Sequence, residues 1–475
     1  MFEGGRGMRG PGSGGSRTGD GAPVLALALV AAFAVWAVCA WFDLAGQRSL
    51  FYERGQEELY DYWMPRMCVE QGYSSAKSAD YGIDPASRGV RAADKAVGET
   101  VEFSDWYPSE TGLRFVTGDM DKVYPALALM PYRLFPATRA GGWCFSVLCA
   151  AVFLLSLVLV GRRCVLRGPS AFLFPLSLVL SMPFLFALER GNPVWLSAAA
   201  VGVFLAWWDD ERGWKRLVAA VCLAFAAVMK IAPAALGLLY LLGASGKKVE
   251  RRGVGVVGEG VGVVGEGVVG RLFSFVYARE IAVAAIAFLV LFIVPWLFVK
   301  DGLAAVPIMM KNAAHHADFV LRTADFGFIQ LWRAVRVALG QGVGEPWAGM
   351  YLVGRLSQLF GLVALVFGAR RRDYLLLVGG MLFAAGNMYY YAALYLFPVL
   401  LMSDEVGLAR DSLRASPFAS AAVSLVLWFA ILCPLQLMLL GHSANANLCN
   451  SALLALMLLR MADKRTERGR YAFDP

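Results

Sequence analysis

The sequence predicts an all-α fold, a polytopic transmembrane helical bundle, on three observations. Apolar residues gather into runs of bilayer length, basic residues cluster in the short segments between those runs, and an acidic first loop stands against a basic remainder. Of 475 residues, 58% are hydrophobic and 17% charged. The clearest apolar runs cover 22–42, 143–160, 171–188, 193–208, 281–299, 347–368 and 418–440. A membrane helix needs roughly 17–25 such residues. Charge is nearly absent inside these runs, Arg355 excepted, which excludes a soluble globular domain. The net charge of +8 would point to nucleic acid in a soluble protein. Here the bases sit between spans, so they report topology and no nucleic-acid partner is expected.

The elements follow in order. Residues 1–22 carry Arg6, Arg9 and Arg17 among many glycines and read as a disordered cytosolic tail rather than a cleaved signal peptide. The first span then exits, making 43–142 an outer loop with 15 Asp and Glu against 11 Lys and Arg. Arg162, Arg163 and Arg167 mark a cytosolic turn, 189–192 an outer one, and Arg212, Lys215 and Arg216 a cytosolic one. The run 217–242 has basic clusters on both flanks, so a single crossing fails. Lys230 and Pro233 at its middle predict a broken hairpin with its tip outside, because proline interrupts the helical ladder and lysine resists burial in lipid. Each half would be about 13 residues, or about 20 Å. The same parity argument splits 374–402 near Gly386 and Asn387, giving about twelve crossings.

These readings divide the chain into a first transmembrane half, 23–245, expected to hold the chemistry, and a linker, 246–271. A second transmembrane half follows at 272–461, with an outer loop at 300–345, and then a basic cytosolic tail, 462–475. The linker contains the repeat GVGVVGE, whose glycines make a helix costly. Eight scattered cysteines form neither a CxxC nor a zinc spacing, and no metal or cofactor is expected. They read as small apolar residues in helices.

Polar residues of intramembrane or near-membrane segments converge on the outer side. They include Asp61 with Tyr60, Tyr62 and Trp63; Glu102, Asp105, Asp119 and Asp121; Glu189, Arg190 and Asn192; and Lys230. The loop 300–345 adds Lys311, His315, His316, Asp318, Arg322 and Asp325. A carboxylate beside outward-facing cations suits transfer of a sugar from a lipid-linked phosphate to a hydroxyl. The acceptor needs a general base, the leaving phosphate needs positive charge, and the lipid tail needs a groove between spans. Each residue also has a plainer reading. Asp61 is one of fifteen acids in its loop, and Asp43 is its nearest rival. Lys230 could snorkel from a helix end. Arg190 could pair with Glu189 or a lipid headgroup. Asn192 could cap the helix beginning at Pro193, which would also present a positive N-terminus to an anion. His315 and His316 could contact phosphate or lie in a plain loop, and Tyr389, Tyr390 and Tyr391 read as membrane-interface aromatics.

The segment DYWMPRMCVEQGY, 61–73, followed by VYPALALMPYRLFP, 123–136, resembles the start of glycosyltransferase family 87. Its members are polyprenyl-phosphate-sugar-dependent transferases of the GT-C class. ERGNPVWL, 189–196, and AAVMKIAP, 226–233, resemble that family's polar-Asn and Lys-x-x-Pro motifs in the same order. The similarity covers roughly 55–245, with YYYAALYLFPVLL, 389–401, as a further piece.

The resemblance implies a GT-C-like bundle in the cell membrane with its active site on the extracytoplasmic side. It implies Asp61 as catalytic base, with Tyr62 as the aromatic neighbour the family carries there. By their own placement, apart from the resemblance, Lys230, Arg190, His315 and His316 are expected to hold the donor phosphate, and Tyr62, Glu189 and Asn192 the substrate. The expected partners are a polyprenyl-phosphate-linked sugar, mannose or arabinose-like, a glycolipid or glycan acceptor, and membrane lipid. The first loop is longer than usual for the family, and Glu189-Arg190 stands where a shorter polar motif is common. A transporter or flippase of a lipid-linked sugar is the alternative, sharing the broken helices and outer acids. The acidic first loop has no counterpart in the second half, which argues against an inverted repeat.

Overall fold

The computed structural model describes residues 61–62, 65, 101–102, 116–117, 123–136, 138–161, 178–179, 181–242, 277–311 and 313. It further describes 326–339, 349–386, 388–402, 427–428, 430–432, 438–439, 442–443 and 445–462. The predicted first span, most of the acidic loop, the glycine-rich linker, both tails, and His315 and His316 lie outside the described residues.

The described chain is mostly helical. The helices are α1 (Ala126–Leu129), α2 (Arg139–Gly161), α3 (Met182–Arg190), α4 (Val194–Trp207), α5 (Gly213–Met229) and α6 (Leu238–Leu242). They continue with α7 (Ala278–Ile293), α8 (Phe328–Ala338), α9 (Met350–Arg371), α10 (Tyr374–Ala385), α11 (Leu396–Met402) and α12 (Asn445–Ala462). Two short antiparallel ribbons accompany them, Val101–Glu102 with Val116–Thr117 and Met438–Leu439 with His442–Ser443.

Among the described residues three helical stretches are long and apolar enough to cross a membrane: Ala140–Gly161, Ala278–Phe298 and Met350–Arg371. At 1.5 Å per residue each exceeds about 30 Å, the thickness of the hydrocarbon core. Their exposed faces are apolar in stripes, Val147, Leu148, Val152, Leu155 and Leu159 on α2 and Leu352, Leu356, Leu359, Val363 and Phe367 on α9. Helix α7 is exposed along most of its length. Such surface is stable only against lipid, so the fold is a membrane-associated helical bundle.

The core lies between α2, α4, α10 and α11, where Phe153, Trp195 and Phe397 pack ring against ring. Polar links between helices use small side chains, as expected where lipid supplies no hydrophobic drive for helix association. Tyr395 donates to Ser197 Oγ at 2.8 Å, and Ser197 donates to the Ala226 carbonyl at 3.1 Å. Helices α9 and α10 form a tight hairpin because Gly361 leaves room for the α10 backbone; a Cβ there would overlap Ala384 N. Its turn has Arg372 in the left-handed region at φ 53, and the Asp373 carboxylate caps α10 by accepting from Leu375 N and Leu376 N.

Two breaks in the spans shape the site end. Helix α5 stops at Lys230, whose backbone is extended at φ −148 and ψ 119. Pro233 opens the following 3-10 turn Ala232–Gly237, where its missing N–H costs little. The chain then returns, bringing the Tyr240 hydroxyl to the Arg216 carbonyl at 3.5 Å. The two arms are unequal, 17 residues in α5 and 11 in Ala232–Leu242, rather than two halves of similar length. Helix α10 ends at Gly386, φ 65, and the chain resumes at Tyr390–Tyr395. At the opposite end of the bundle Arg216 pairs with Glu280 at 2.8 Å, Lys215 with Asp210 at 3.1 Å and Arg372 with Asp209 at 3.5 Å.

Candidate functional site: a cation-rich nest around Asp61

Asp61 sits on a short helical piece and is only 5% exposed. Arg190, the last residue of α3, grips its carboxylate with two hydrogen bonds. Nε donates to Oδ2 at 2.6 Å and Nη2 to Oδ1 at 3.1 Å. The two residues are 129 apart in sequence, so tertiary structure alone makes the pair. Arg190 also lies over the Phe186 ring, one turn back on α3, with 5.5 Å to the centroid.

Gly191 aims this arginine. At φ 66 it ends α3 in the left-handed region, its N–H capping carbonyls of the last turn. Tyr132, fully buried, places its hydroxyl 3.2 Å from the Asp61 carbonyl and 3.4 Å from the Gly191 carbonyl, so one phenol bridges both segments of the ion pair. Tyr62 fixes the Asp61 segment from below. Its hydroxyl donates to the Pro136 carbonyl at 2.7 Å, and its ring packs on Tyr132 and Phe145.

Lys230 reaches the same place from the α5 break. Its ammonium lies 4.8 Å from the centroid of Tyr124 and 5.9 Å from that of Tyr391, a cation held between two aromatic faces. Among the described residues no carboxylate lies within ion-pair distance of it. It does feel the charges of Asp61 and Arg190, as Tyr124 and Tyr391 also do. Among the described residues the cluster thus brings the Asp61–Arg190 pair and the Lys230 ammonium together in a partly buried nest walled by tyrosines, with Glu189 beside Arg190 on α3. A second apolar cluster, built on Tyr124, Leu129, Met229, Trp296 and Met309, adjoins it.

The expected site residues thus separate. Asp61, Arg190 and Lys230 converge. Asn192 is fully buried, and its Oδ1 accepts from Val194 N at 2.8 Å, so it does cap α4; its side chain also meets Tyr391. Glu189 is buried on α3 beside Arg190. Tyr62 is near the site by position, but its ring is fully buried in the core beneath it. Tyr389, Tyr390 and Tyr391 do not form an outer interface belt: Tyr390 and Tyr391 are buried, stack near Phe186, and Tyr391 walls the nest. The sequence reading did not single out Tyr124, Tyr132 or Tyr391 as site residues. Tyr124 and Tyr132 lie inside the segment 123–136, quoted for its resemblance, and that was the available signal.

A buried ion pair is weak support for stability, since desolvation offsets much of the attraction. A buried ammonium that makes no ion pair among the described residues adds further cost and favours a bound anion. The carboxylate keeps lone pairs beyond the two that Arg190 occupies. The nest can therefore bind an anionic group at Lys230 and Arg190 and offer Asp61 to a proton. No protein-family model, no curated protein and no solved structure matches this chain. Function is accordingly argued from the geometry of the nest.

Proposed function

We propose that this protein is a membrane glycosyltransferase that moves a sugar, mannose or arabinose-like, from a polyprenyl-phosphate donor to an acceptor hydroxyl on a glycolipid or glycan. The reaction would take place on the extracytoplasmic face. The observation that carries this reading is the convergence of one carboxylate and two cations, Asp61, Arg190 and Lys230, at the broken ends of α3 and α5.

In this mechanism Asp61 accepts the proton of the acceptor hydroxyl, whose oxygen bonds to the anomeric carbon. The bond from that carbon to the phosphate oxygen breaks, and its electron pair leaves with the polyprenyl phosphate. Lys230 and Arg190 neutralise the charge that develops on the leaving group. Attack opposite the leaving group inverts the anomeric centre. Tyr124 and Tyr391 hold Lys230 without supplying a counter-charge, so its field remains directed at the phosphate.

Membranes containing the protein, supplied with a panel of radiolabelled polyprenyl-phosphate sugars, test the proposal. Transfer that depends on Asp61 supports it; no transfer from any donor by a folded protein rejects it. The double hydrogen bond that closes Arg190 on Asp61 favours one rival, a transporter or flippase using the pair as a gate. That reading requires movement of the labelled lipid across a sealed bilayer without change of its sugar linkage.

A further inference from the structure

We propose that Tyr391 is a ligand-contacting residue of the nest: its hydroxyl donates a hydrogen bond to an oxygen of the phosphate group that Lys230 attracts, and Asn192 is the positioning residue that aims it. The inference deepens the anion-binding part of the glycosyltransferase reading and rests on that part alone.

The chain is bent so that Tyr391 comes to the nest. Helix α10 ends at Gly386, in the left-handed region at φ 65, where a Cβ would meet Gln358 Nε2 at 2.9 Å. Tyr389 is extended at φ −85 and ψ 166, and the 3-10 turn Tyr390–Tyr395 then packs against α3. The Tyr391 ring stacks on Phe186 with centroids 6.0 Å apart, and the Lys230 ammonium lies 5.9 Å from its centroid. These two contacts fix the place of the ring.

Asn192 is held more tightly still. Its backbone N–H reaches back to the Ala187 carbonyl at 3.5 Å, closing the end of α3, while its Oδ1 accepts from Val194 N at 2.8 Å and opens α4. An amide whose oxygen is engaged by an N–H has its nitrogen on the other side. That nitrogen is fully buried, faces the Tyr391 phenol short of a completed hydrogen bond, and has no other partner.

The count of donors and acceptors decides what the phenol can do. Nδ2 can only donate, so the phenol oxygen can only accept from it, and the phenol's own proton must go elsewhere. Among the described residues no acceptor takes it. Lys230 brings further N–H donors to the same ring, with no ion pair among the described residues. Donors gathered without acceptors fit a ligand atom that only accepts, and a phosphate oxygen is such an atom. The lone pairs of Asp61, by contrast, suit a hydroxyl. The two sides of the nest therefore sort phosphate from acceptor.

The test measures binding of farnesyl phosphate and of inorganic phosphate to the purified full chain by isothermal titration in a phosphate-free detergent. Tyr391→Phe keeps the ring beside Lys230 and removes the hydroxyl; Asn192→Ser keeps an oxygen to cap α4 and removes the amide nitrogen. Affinity should fall about tenfold or more in Tyr391→Phe, as expected for a hydrogen bond to a charged group, and by less in Asn192→Ser. The double variant should bind no more weakly than Tyr391→Phe alone, because Asn192 acts through the phenol. Additive losses overturn the role of Asn192. The probe that shows the losses names the source of the oxyanion, a lipid phosphate for farnesyl phosphate and a soluble one for inorganic phosphate. Wild-type affinity in Tyr391→Phe, with binding still lost in Lys230→Met, overturns the inference and leaves the anion site in place. A folded wild-type protein that binds neither probe overturns the anion site itself. Should Tyr391→Phe fail to fold, Asn192→Ser decides alone, and wild-type affinity in it overturns the inference.

Discussion

The two ends of the bundle both carry ion pairs, yet the pairs differ in kind. At the basic end, among the described residues, Asp209 pairs with Arg372, Asp210 with Lys215, and Glu280 with Arg216. Each pair ties a turn or helix end to its neighbour, Arg372 also lies over Trp208, and the bases remain partly exposed. At the site end, among the described residues, the buried Asp61 is held by a partly buried Arg190, and Lys230 lies close by without an ion pair. A cation in a low-dielectric setting with no ion pair among the described residues is completed by an anion. The contrast teaches that an ammonium left outside the described ion pairs, more than the presence of salt bridges, marks the candidate site.

The sharpest way to break this comparison is Asp61→Asn, nearly isosteric but unable to take a proton. Transferase turnover should fall by about 10² to 10⁴, the usual worth of a general base. Donor binding should persist, because both cations remain. Near wild-type turnover from radiolabelled donor would leave Asp61 as a structural partner of Arg190 only.

Arg190→Gln comes next in expected effect. It strands a buried carboxylate, and removing one partner of such a pair typically costs about 3–5 kcal/mol. Thermal unfolding in detergent should show the loss, and the double variant Asp61→Asn/Arg190→Gln should recover much of it. Additive losses in the double variant would mean that the pair is not coupled as its geometry requires.

Lys230→Met preserves bulk and removes charge. A hydrogen bond to a charged group is worth about 1.5–3 kcal/mol, so donor affinity should drop by roughly ten- to a hundredfold. Lys215→Met, at the basic end, should leave donor affinity unchanged, and equal losses in both variants would erase the distinction between the ends. The smallest effect is expected from Asp209→Asn. Its pair with Arg372 is long, at 3.5 Å, and partly exposed, so stability should change by no more than about 1 kcal/mol and transfer activity should stay intact.

How much of this was legible before folding differs residue by residue. Arg190 and Lys230 are visible in sequence because charge beside or inside apolar runs is costly and therefore conspicuous, whereas Asp61, one of fifteen acids in its loop, stands out only through the resemblance of the segment it opens. The break at Lys230 follows from basic flanks and Pro233, and the break at Gly386 from the same parity. Tyr391 was hidden by its neighbours: a run of tyrosines beside an apolar helix reads equally as an interface belt. Only the packing of Tyr390–Tyr395 against α3 shows that Tyr391 turns inward. Tyr132 and Tyr124 were hidden by distance, since a phenol bridging Asp61 and Gly191 has no local signature.

The sequence by itself determined that this chain is a helical membrane protein and where its spans are interrupted. Hydrophobic run length and the distribution of bases act locally, through the cost of placing charge or open backbone in lipid. Tertiary structure alone decided that Arg190 closes on Asp61 across 129 residues and that Lys230 lies between Tyr124 and Tyr391. These depend on how helix ends meet, and that is fixed by close packing of faces such as Gly361 on Ala384 rather than by the polarity of any one segment.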